Sequence, residues 1–165
     1  MTGVSDSIKI GDNLSFQMER GLPLDEVVKL RGHICFLLLD EDGKIKVEWE
    51  VGNLVTTAGK AGLADQMLAA PTLAKPGWMA LGTGSPGATA LGTEIDRNAL
   101  ATKTRSGAVV TMTATWAAGD GTGTLTEAGI FDAATAGNMW CSASFAAKPK
   151  AAADTLSATW TFTVG

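Results

Sequence analysis

The residues from Leu156 to Val164 alternate between apolar and hydroxyl-bearing side chains, and they constrain the fold more than any other segment. The apolar positions are Leu156, Ala158, Trp160, Phe162 and Val164, and the hydroxyl positions are Ser157, Thr159, Thr161 and Thr163. Successive side chains of a strand point to opposite faces, so the pattern predicts a strand with one buried and one exposed face. Such a strand needs a second layer over its apolar face, which favours a β-sandwich completed by this strand. The other face is neutral and stiff, and it suits packing against another protein surface.

The composition is that of a folded domain with few charges. Of the 165 residues, 45% are hydrophobic and 18% are charged, which is enough apolar material for one domain with a core. The net charge of −4 argues against general nucleic-acid binding, which needs a basic surface. The basic pairs Lys103/Arg105 and Lys148/Lys150 are predicted to be strand-end or loop charges. No segment has the length of a membrane span and no leader pattern opens the chain, so we expect a protein made in a cytosol.

Two regions are predicted along the chain. Residues 1–28 form an extended N-terminal arm, in which isolated apolar residues are mixed with polar ones and with the breaks Gly11, Gly21 and Pro23. Residues 29–165 form the β-sandwich domain. An arm of this composition does not make a core of its own, so we expect it to wrap its own domain or to reach a neighbour. The predicted contact residues are Ile8, Ile10, Leu14 and Phe16.

A hairpin and one helix are predicted at the start of the domain. The apolar run over residues 30–40 leads into a turn at Asp40 to Lys44, where Asp-Gly is a hairpin signal. The next strand alternates, with one apolar face formed by Ile45, Val47, Trp49 and Val51. A helix is predicted from Ala58 to Ala69, with Thr56 or Thr57 as its N-cap. Its apolar residues at helical spacing are Leu63, Met67 and Leu68.

The remaining segments predict an all-β fold. Strands are expected at residues 78–84, 107–118, 124–133, 139–147 and 154–164, with glycine-rich turns or loops between them. Residues 88–100 are ambiguous between a loop, a short helix and an edge strand, and residues 148–154 are expected to form a loop. The prediction is an antiparallel β-sandwich with one short helix, and the pattern leaves jelly-roll and immunoglobulin-like wirings open. The tryptophans fall mostly on apolar strand faces, which favours core packing.

No constellation of residues predicts catalysis. His33 is the only histidine, and its apolar strand context favours a core or edge residue over a general base or a metal ligand. Residues 82–87 match GxGxxG, but Pro86 and a second glycine-rich turn stand where a dinucleotide site needs a helix. The acidic residues Asp40 to Asp42 fit a hairpin turn better than a calcium loop. We therefore expect no catalytic residue, no cofactor and no metal.

Glu127 and the two cysteines are the remaining chemically interesting residues. Glu127 lies in an apolar strand context, where a carboxylate is costly unless it is paired, and Arg97 and Arg105 are its candidate partners. Cys35 and Cys141 lie in apolar strand runs, and their spacing fits no metal-site pattern. Buried free thiols are favoured, while a disulfide stays open if their strands are neighbours.

Several segments, taken in order, resemble a small family of tailed-bacteriophage virion proteins. They are NLVTTAGKAGLADQML at residues 53–68, WMALGTGSPGATALGTEIDR at residues 78–97, EAGIFDA at residues 127–133 and DTLSATWTFTV at residues 154–164. The resemblance covers roughly residues 30–165 and leaves the arm outside. It implies a virion structural role, as a head decoration, tail-fibre or baseplate-associated protein, and it supplies no catalytic residues.

The leading hypothesis is a capsid decoration (cement) protein that binds and stabilises the outer head shell. It would be made in the host cytoplasm and act at the capsid surface of the virion. Its expected partners are the major capsid protein and further copies of itself in a symmetric homo-oligomer, with neither nucleic acid nor a membrane. The arm residues would contact the capsid subunits. The alternative is a tail fibre or baseplate component that contacts the host surface, and an enzyme is not expected.

Overall fold

The computed structural model describes residues 28–165, which form ten strands and one helix. The strands are β1 Leu30–Leu39, β2 Ile45–Gly52, β3 Leu54–Val55, β4 Trp78–Gly82, β5 Glu94–Ala99, β6 Thr102–Ser106, β7 Val109–Trp116, β8 Gly123–Phe131, β9 Met139–Lys150 and β10 Thr155–Val164. The helix α1 spans Thr57–Asp65. The arm predicted over residues 1–28 therefore lies, except for Val28, outside the described residues.

The strands form two antiparallel sheets. The first sheet has the order β2-β1-β10-β7-β6, and the second has the order β3-β9-β8-β4-β5. Every described pairing within them is antiparallel. Side chains from both sheets share one core cluster, so the two sheets pack face to face. The predicted all-β antiparallel sandwich with one short helix is confirmed.

The alternating segment at the end of the chain is the central strand of the first sheet. β10 pairs with β1 on one side and with β7 on the other. Its apolar residues Leu156, Ala158 and Trp160 are buried, and they pack with residues of the second sheet such as Leu81 and Ile130. All five tryptophans are buried in, or packed against, the described core clusters, as their strand faces predicted.

The predicted hairpin of β1 and β2 is present, with one deviation. The Asp40 carboxylate accepts hydrogen bonds from the backbone N–H groups of Asp42 and Lys44, and Gly43 adopts a φ of 76°. Beyond the turn the register shifts, because Leu38 pairs with Val47 while Leu39 pairs with Ile45. The extra residue in β2 turns Ile45 away from the apolar face, so its predicted burial is wrong and its side chain is 64% exposed.

The helix is shorter than the prediction of Ala58 to Ala69. Its N-cap is Thr56, whose hydroxyl accepts a hydrogen bond from Gly59 N at 3.0 Å, and its last residue is Asp65. The Asp65 carboxylate then accepts hydrogen bonds from the backbone of Thr72 and Leu73, which fixes the following loop in place of further helical turns. Met67 and Leu68, predicted to lie on the apolar helix face, are therefore exposed.

Strand structure extends into two stretches where the sequence pattern did not predict it. The region of residues 88–100, which the sequence left open between a loop, a short helix and an edge strand, contains all of β5, and β6 follows it directly. β9 continues to Lys150, so this residue, predicted to be a strand-end or loop charge, ends a strand within the stretch expected to form a loop, and it is only 2% exposed. Its ammonium group donates hydrogen bonds to the carbonyl oxygens of Ala117 at 3.1 Å and Asp154 at 2.7 Å, which replace the lost water contacts.

Candidate functional site

The outer face of the first sheet is covered by hydroxyl groups over three neighbouring strands. Alternation in β7 and β10 buries one set of side chains and turns serine and threonine outward, and the register places residues of β6 on the same face. We call this surface the hydroxyl face; it consists of Thr102, Thr104, Ser106, Thr111, Thr113, Thr115, Thr155, Ser157, Thr159, Thr161 and Thr163, and the one apolar side chain among them is that of Val109, opposite Ser106 and Thr163. No charged side chain of these three strands belongs to it.

The hydroxyl groups stand in rows that cross the strands. Thr159 of β10 is opposite Thr113 of β7, which is opposite Thr102 of β6. The hydroxyl oxygens of Thr102 and Thr113 are 2.7 Å apart and share a hydrogen bond. Threonine is β-branched and therefore has a restricted χ1, and each hydroxyl can both donate and accept a hydrogen bond. The face is thus neutral and its threonine side chains have few rotamers, so a partner can bind it at a small cost in side-chain entropy.

The sequence indicated only the β10 part of this face. The β7 residues of this face could have been predicted from the same alternation, since Thr111, Thr113 and Thr115 alternate with core residues. The β6 residues of this face could not have been predicted in this way, because all five residues of β6 are exposed and show no apolar alternation. Pairing with β7, a property of the tertiary fold, is what places Thr102 and Thr104 there.

At β1 and β2 the same outer face continues with ionisable groups. Cys35 is opposite Thr159 of β10 and Glu50 of β2, and His33 is opposite Thr161. The His33 Nε2 atom lies 3.7 Å from a Glu50 carboxylate oxygen. His33 is therefore a half-exposed sheet residue with an acidic neighbour that comes from another strand and is not visible from local sequence.

His33, Cys35 and Glu50 are the described residues that could together hold a metal ion. Their ligand atoms all lie within 4.8 Å of one another. Partial burial, followed by the negative charges of Glu50 and Glu48, raises the pKa of the Cys35 thiol. A metal binds the thiolate, so a metal that used these three ligands would have to displace the thiol proton.

The two cysteines do not pair. Cys35 is in β1 of the first sheet, Cys141 is in β9 of the second sheet, and both thiols are free. Burial raises the pKa of the Cys141 thiol to about 12, so it behaves as a small apolar core residue. Cys35 is only partly buried, which differs from the prediction of two buried thiols because its side chain is on the outer face of the sheet.

Glu127 holds together the loop between β4 and β5. Its carboxylate is fully buried in β8 and accepts three backbone hydrogen bonds, from Gly84 at 2.9 Å, Gly92 at 2.9 Å and Thr93 at 2.8 Å. The Thr126 hydroxyl adds a bond to the Gly84 carbonyl oxygen at 2.6 Å. A Cβ atom at Gly84 would lie 2.8 Å from Thr93 N and 3.0 Å from the carboxylate, so glycine is required for this approach.

This arrangement corrects the partners predicted for Glu127. Arg97 binds Glu94 and stacks 3.6 Å above the Phe131 ring, and Arg105 donates to the carbonyl oxygen of Gly107. A carboxylate can be satisfied by backbone donors as well as by a cation, and sequence spacing does not reveal which.

The same arrangement explains the GxGxxG match. β4 runs into a loop in which Gly84 N, Gly92 N and Thr93 N all donate to Glu127. Of these donors, Gly84 N belongs to the GxGxxG match, where a phosphate site would need its N–H group free. Their hydrogen bonds to an internal carboxylate support a structural role for the glycines, as the sequence indicated.

The predicted partner-binding residues Ile8, Ile10, Leu14 and Phe16 lie outside the described residues. Within residues 28–165, the only helix is α1, and it is too short to cross a membrane.

Comparison with known proteins identifies one family. The sequence model of a family described as Podophage GP4 fiber I protein gp80 matches residues 55–161, which is more than half of the chain. The match includes the Glu127 loop, β6, β7 and β10 as far as Thr161. No curated protein and no solved structure matches the chain.

Proposed function

Since the chain belongs to the family of the podophage GP4 fiber I protein gp80, we propose that it is a fibre-type component of a tailed-phage virion. The family is one of tailed-phage structural proteins, so a virion structural role follows from membership. The match over residues 55–161 is the observation that carries the proposal, and the word fiber in the family's description favours the fibre.

The hydroxyl face is the surface through which this unit packs against its virion neighbour. Its three strands present uncharged side chains of similar length, and an interface core is depleted in charged residues. When a partner covers this face, the hydroxyl groups can replace their hydrogen bonds to water by hydrogen bonds to the partner. Because the face carries no charge, its burial leaves no unpaired charge in the interface.

Capsid decoration is the second candidate, because a neutral face suits packing against a head shell as well as against a fibre shaft. In that case the partner is the major capsid protein, other copies of the chain form the homo-oligomer, and the arm residues add a contact across capsid subunits. The fibre is preferred because the family description concerns fibres.

A non-enzymatic role fits a family of structural proteins. Glu127, the fully buried glutamate of the described residues, has both carboxylate oxygens engaged by backbone N–H groups. Such a carboxylate organises a loop, and its complete burial keeps it from contact with a substrate.

The position of the protein on the particle tests the proposal. Antibodies against the purified domain, coupled to gold, are applied to intact virions and viewed by electron microscopy. Label at the fibres is expected. Label spread over the head would contradict the fibre assignment and favour capsid decoration. Unlabelled particles in which an immunoblot does not detect this protein would overturn both virion assignments.

A further inference from the structure

An apolar groove opens at the end of the sandwich where β10 finishes. Its volume is about 510 Å³, and its walls are mainly apolar. We call it the end groove; its principal wall residues are Leu63, Val110, Met112, Trp140, Phe162 and Val164. Along β10 the inward residues Leu156, Ala158 and Trp160 are buried, whereas Phe162 and Val164 are only partly buried. The inner face of the first sheet thus continues beyond the part that the second sheet covers.

The N-terminal segment leaves the domain at this same end. The backbone of Lys29 both donates to and accepts from the backbone of Gly165, at 2.8 and 2.9 Å. Residue 28 therefore departs beside Val164, which lines the end groove. The strands β1, β10, β7 and β6 are consecutive neighbours, so the groove under β6 lies roughly 14 Å from β1 at about 4.8 Å per strand.

The chain outside the described residues is long enough to reach the groove. Residues 19–27 in extended form span up to about 30 Å. This exceeds the distance across the end of the first sheet, and Gly21 and Pro23 within the span allow the chain to turn. Residues 8–18 can therefore lie in the groove of the same molecule.

The chemistry of residues 8–18 matches the groove. Ile8, Ile10, Leu14, Phe16 and Met18 all occupy even positions, so an extended segment presents them on one face, which is interrupted by the single charged side chain of Asp12. Within residues 8–18 the charged side chains are Lys9 and Asp12, which balance, whereas the connecting residues 19–27 carry Glu19, Asp25 and Glu26 against Arg20. The groove is lined at its polar side by Lys75, Lys103 and Arg105, which form no ion pair with the described carboxylates.

We propose that residues 8–18 bind in extended form in the end groove of their own chain, with their apolar face on Val110, Trp140 and Phe162. The short connection through residues 19–27 favours the same chain over a second copy, because it keeps the segment at a high local concentration. The arm residues thereby gain an intramolecular site, distinct from the capsid contact expected from the sequence.

The test uses the full chain with labelled methyl groups. Nuclear Overhauser contacts are expected between the methyls of Leu14 or Ile10 and those of Val110 or Val164. In a mixture of labelled and unlabelled chains, these contacts are expected within one molecule only. No contact at all, or contacts only between molecules, would overturn the proposal, the latter in favour of a second copy.

A matched pair of variants tests the face that binds. Phe16→Asp places a charge on the apolar face and is expected to abolish the contacts and shift the methyl signals of Val110 and Val164. Signals of core residues such as Leu38 and Leu81 should stay in place. Gln17→Asp adds the same charge on the opposite face and is expected to leave the contacts intact. Equal effects of the two variants would contradict the proposed orientation and overturn the site.

Discussion

At the scale of single residues, buried polar groups rather than apolar ones explain the least predictable parts of this chain. Glu127 satisfies three backbone donors and fixes the loop between β4 and β5. Lys150 and Asp154 connect the ends of β9 and β10, and Lys46 of β2 joins them through a 2.7 Å ion pair with Asp154. Each group is expensive to bury alone and stabilises the fold only with its partners.

Glu127→Gln tests whether the Glu127 carboxylate holds the loop between β4 and β5 in place. The amide replaces one acceptor oxygen by a donor, so at least one of the backbone N–H groups that face it loses its partner. We expect the free energy of unfolding to fall by about 1–3 kcal/mol, measured by chemical denaturation. Glu41→Gln, in the exposed β1–β2 turn, is the control and should change little. Equal stabilities of the two variants would show that the carboxylate does not hold the loop.

Asp154 makes stability depend on pH in the acid range. The hydrogen bond from Lys46 and the backbone bond from Ala151 hold the pKa of this carboxyl below its ordinary value of 3.8. A carboxyl whose pKa is lowered by folding contributes stability above its unfolded pKa and loses that contribution as the pH falls through the folded value. We therefore expect the free energy of unfolding to decrease below pH 3.8.

The variant Asp154→Asn separates this residue from other acids, such as Asp65, whose pKa is lowered in the same direction, mainly by its backbone bond to Leu73. It should be less stable than the parent at neutral pH and lose less stability on acidification, followed by denaturation at a series of pH values. Asp42→Asn is the control, since its side chain is 69% exposed and Asn-Gly also suits the turn. Parallel pH curves for the parent and Asp154→Asn would refute the assignment.

Among the secondary-structure elements, α1 and β6 form because of their tertiary contacts, although the intrinsic preferences of their residues do not favour these structures. The helix α1 contains two glycines, which are poor helix formers, yet both are buried against β9. Thr56 caps the helix and also donates to the Met139 carbonyl oxygen, so the helix is fixed to β9 at its first turn. In the same way, β6 has no apolar alternation and is a strand because it pairs with β7.

Gly59→Ala is expected to lower the free energy of unfolding, although helix propensity alone predicts an increase. Alanine favours an exposed helix by about 1 kcal/mol over glycine. At Gly59, however, the new Cβ would lie 2.9 Å from the Trp140 carbonyl carbon, which belongs to the backbone of β9. We expect a loss of about 1–3 kcal/mol in the free energy of unfolding. The control Ala61→Gly, on the exposed helix side, should also destabilise, by the propensity difference alone; a stabilised Gly59→Ala protein would contradict the packing.

Thr159→Lys tests the hydroxyl face as a docking surface. Thr159 is exposed in the central strand, so we expect the stability of the isolated protein to change by less than about 1 kcal/mol. A lysine there introduces a charge into a neutral interface, and incorporation of the variant into virions should fall sharply, measured by immunoblot of purified particles. Thr135→Lys, in the exposed β8–β9 turn, should be incorporated normally. Normal incorporation of the Thr159→Lys protein into virions would show that the hydroxyl face is not the surface that packs against the virion neighbour.

At the scale of the whole molecule, alternation predicted the sandwich because burial on one face leaves a period of two in the sequence. The strands β2, β7 and β10 were predictable for this reason, and so was the core position of Trp160. The hydroxyl face and the Glu127 loop were predictable only in part, because they depend on which strands are neighbours. Lys150 was mispredicted because its hydrogen-bond partners come from segments that the fold brings together.

The central claim is that this sandwich is a fibre-type component of a tailed-phage virion. The most direct measurement is its copy number relative to the major capsid protein in purified particles, by quantitative mass spectrometry. A tail-associated fibre is present in few copies per particle, so we expect a ratio far below one. A ratio near one, or a simple fraction of it set by capsid symmetry, would contradict the fibre and favour decoration of the head, and absence from the particle would contradict a virion role altogether.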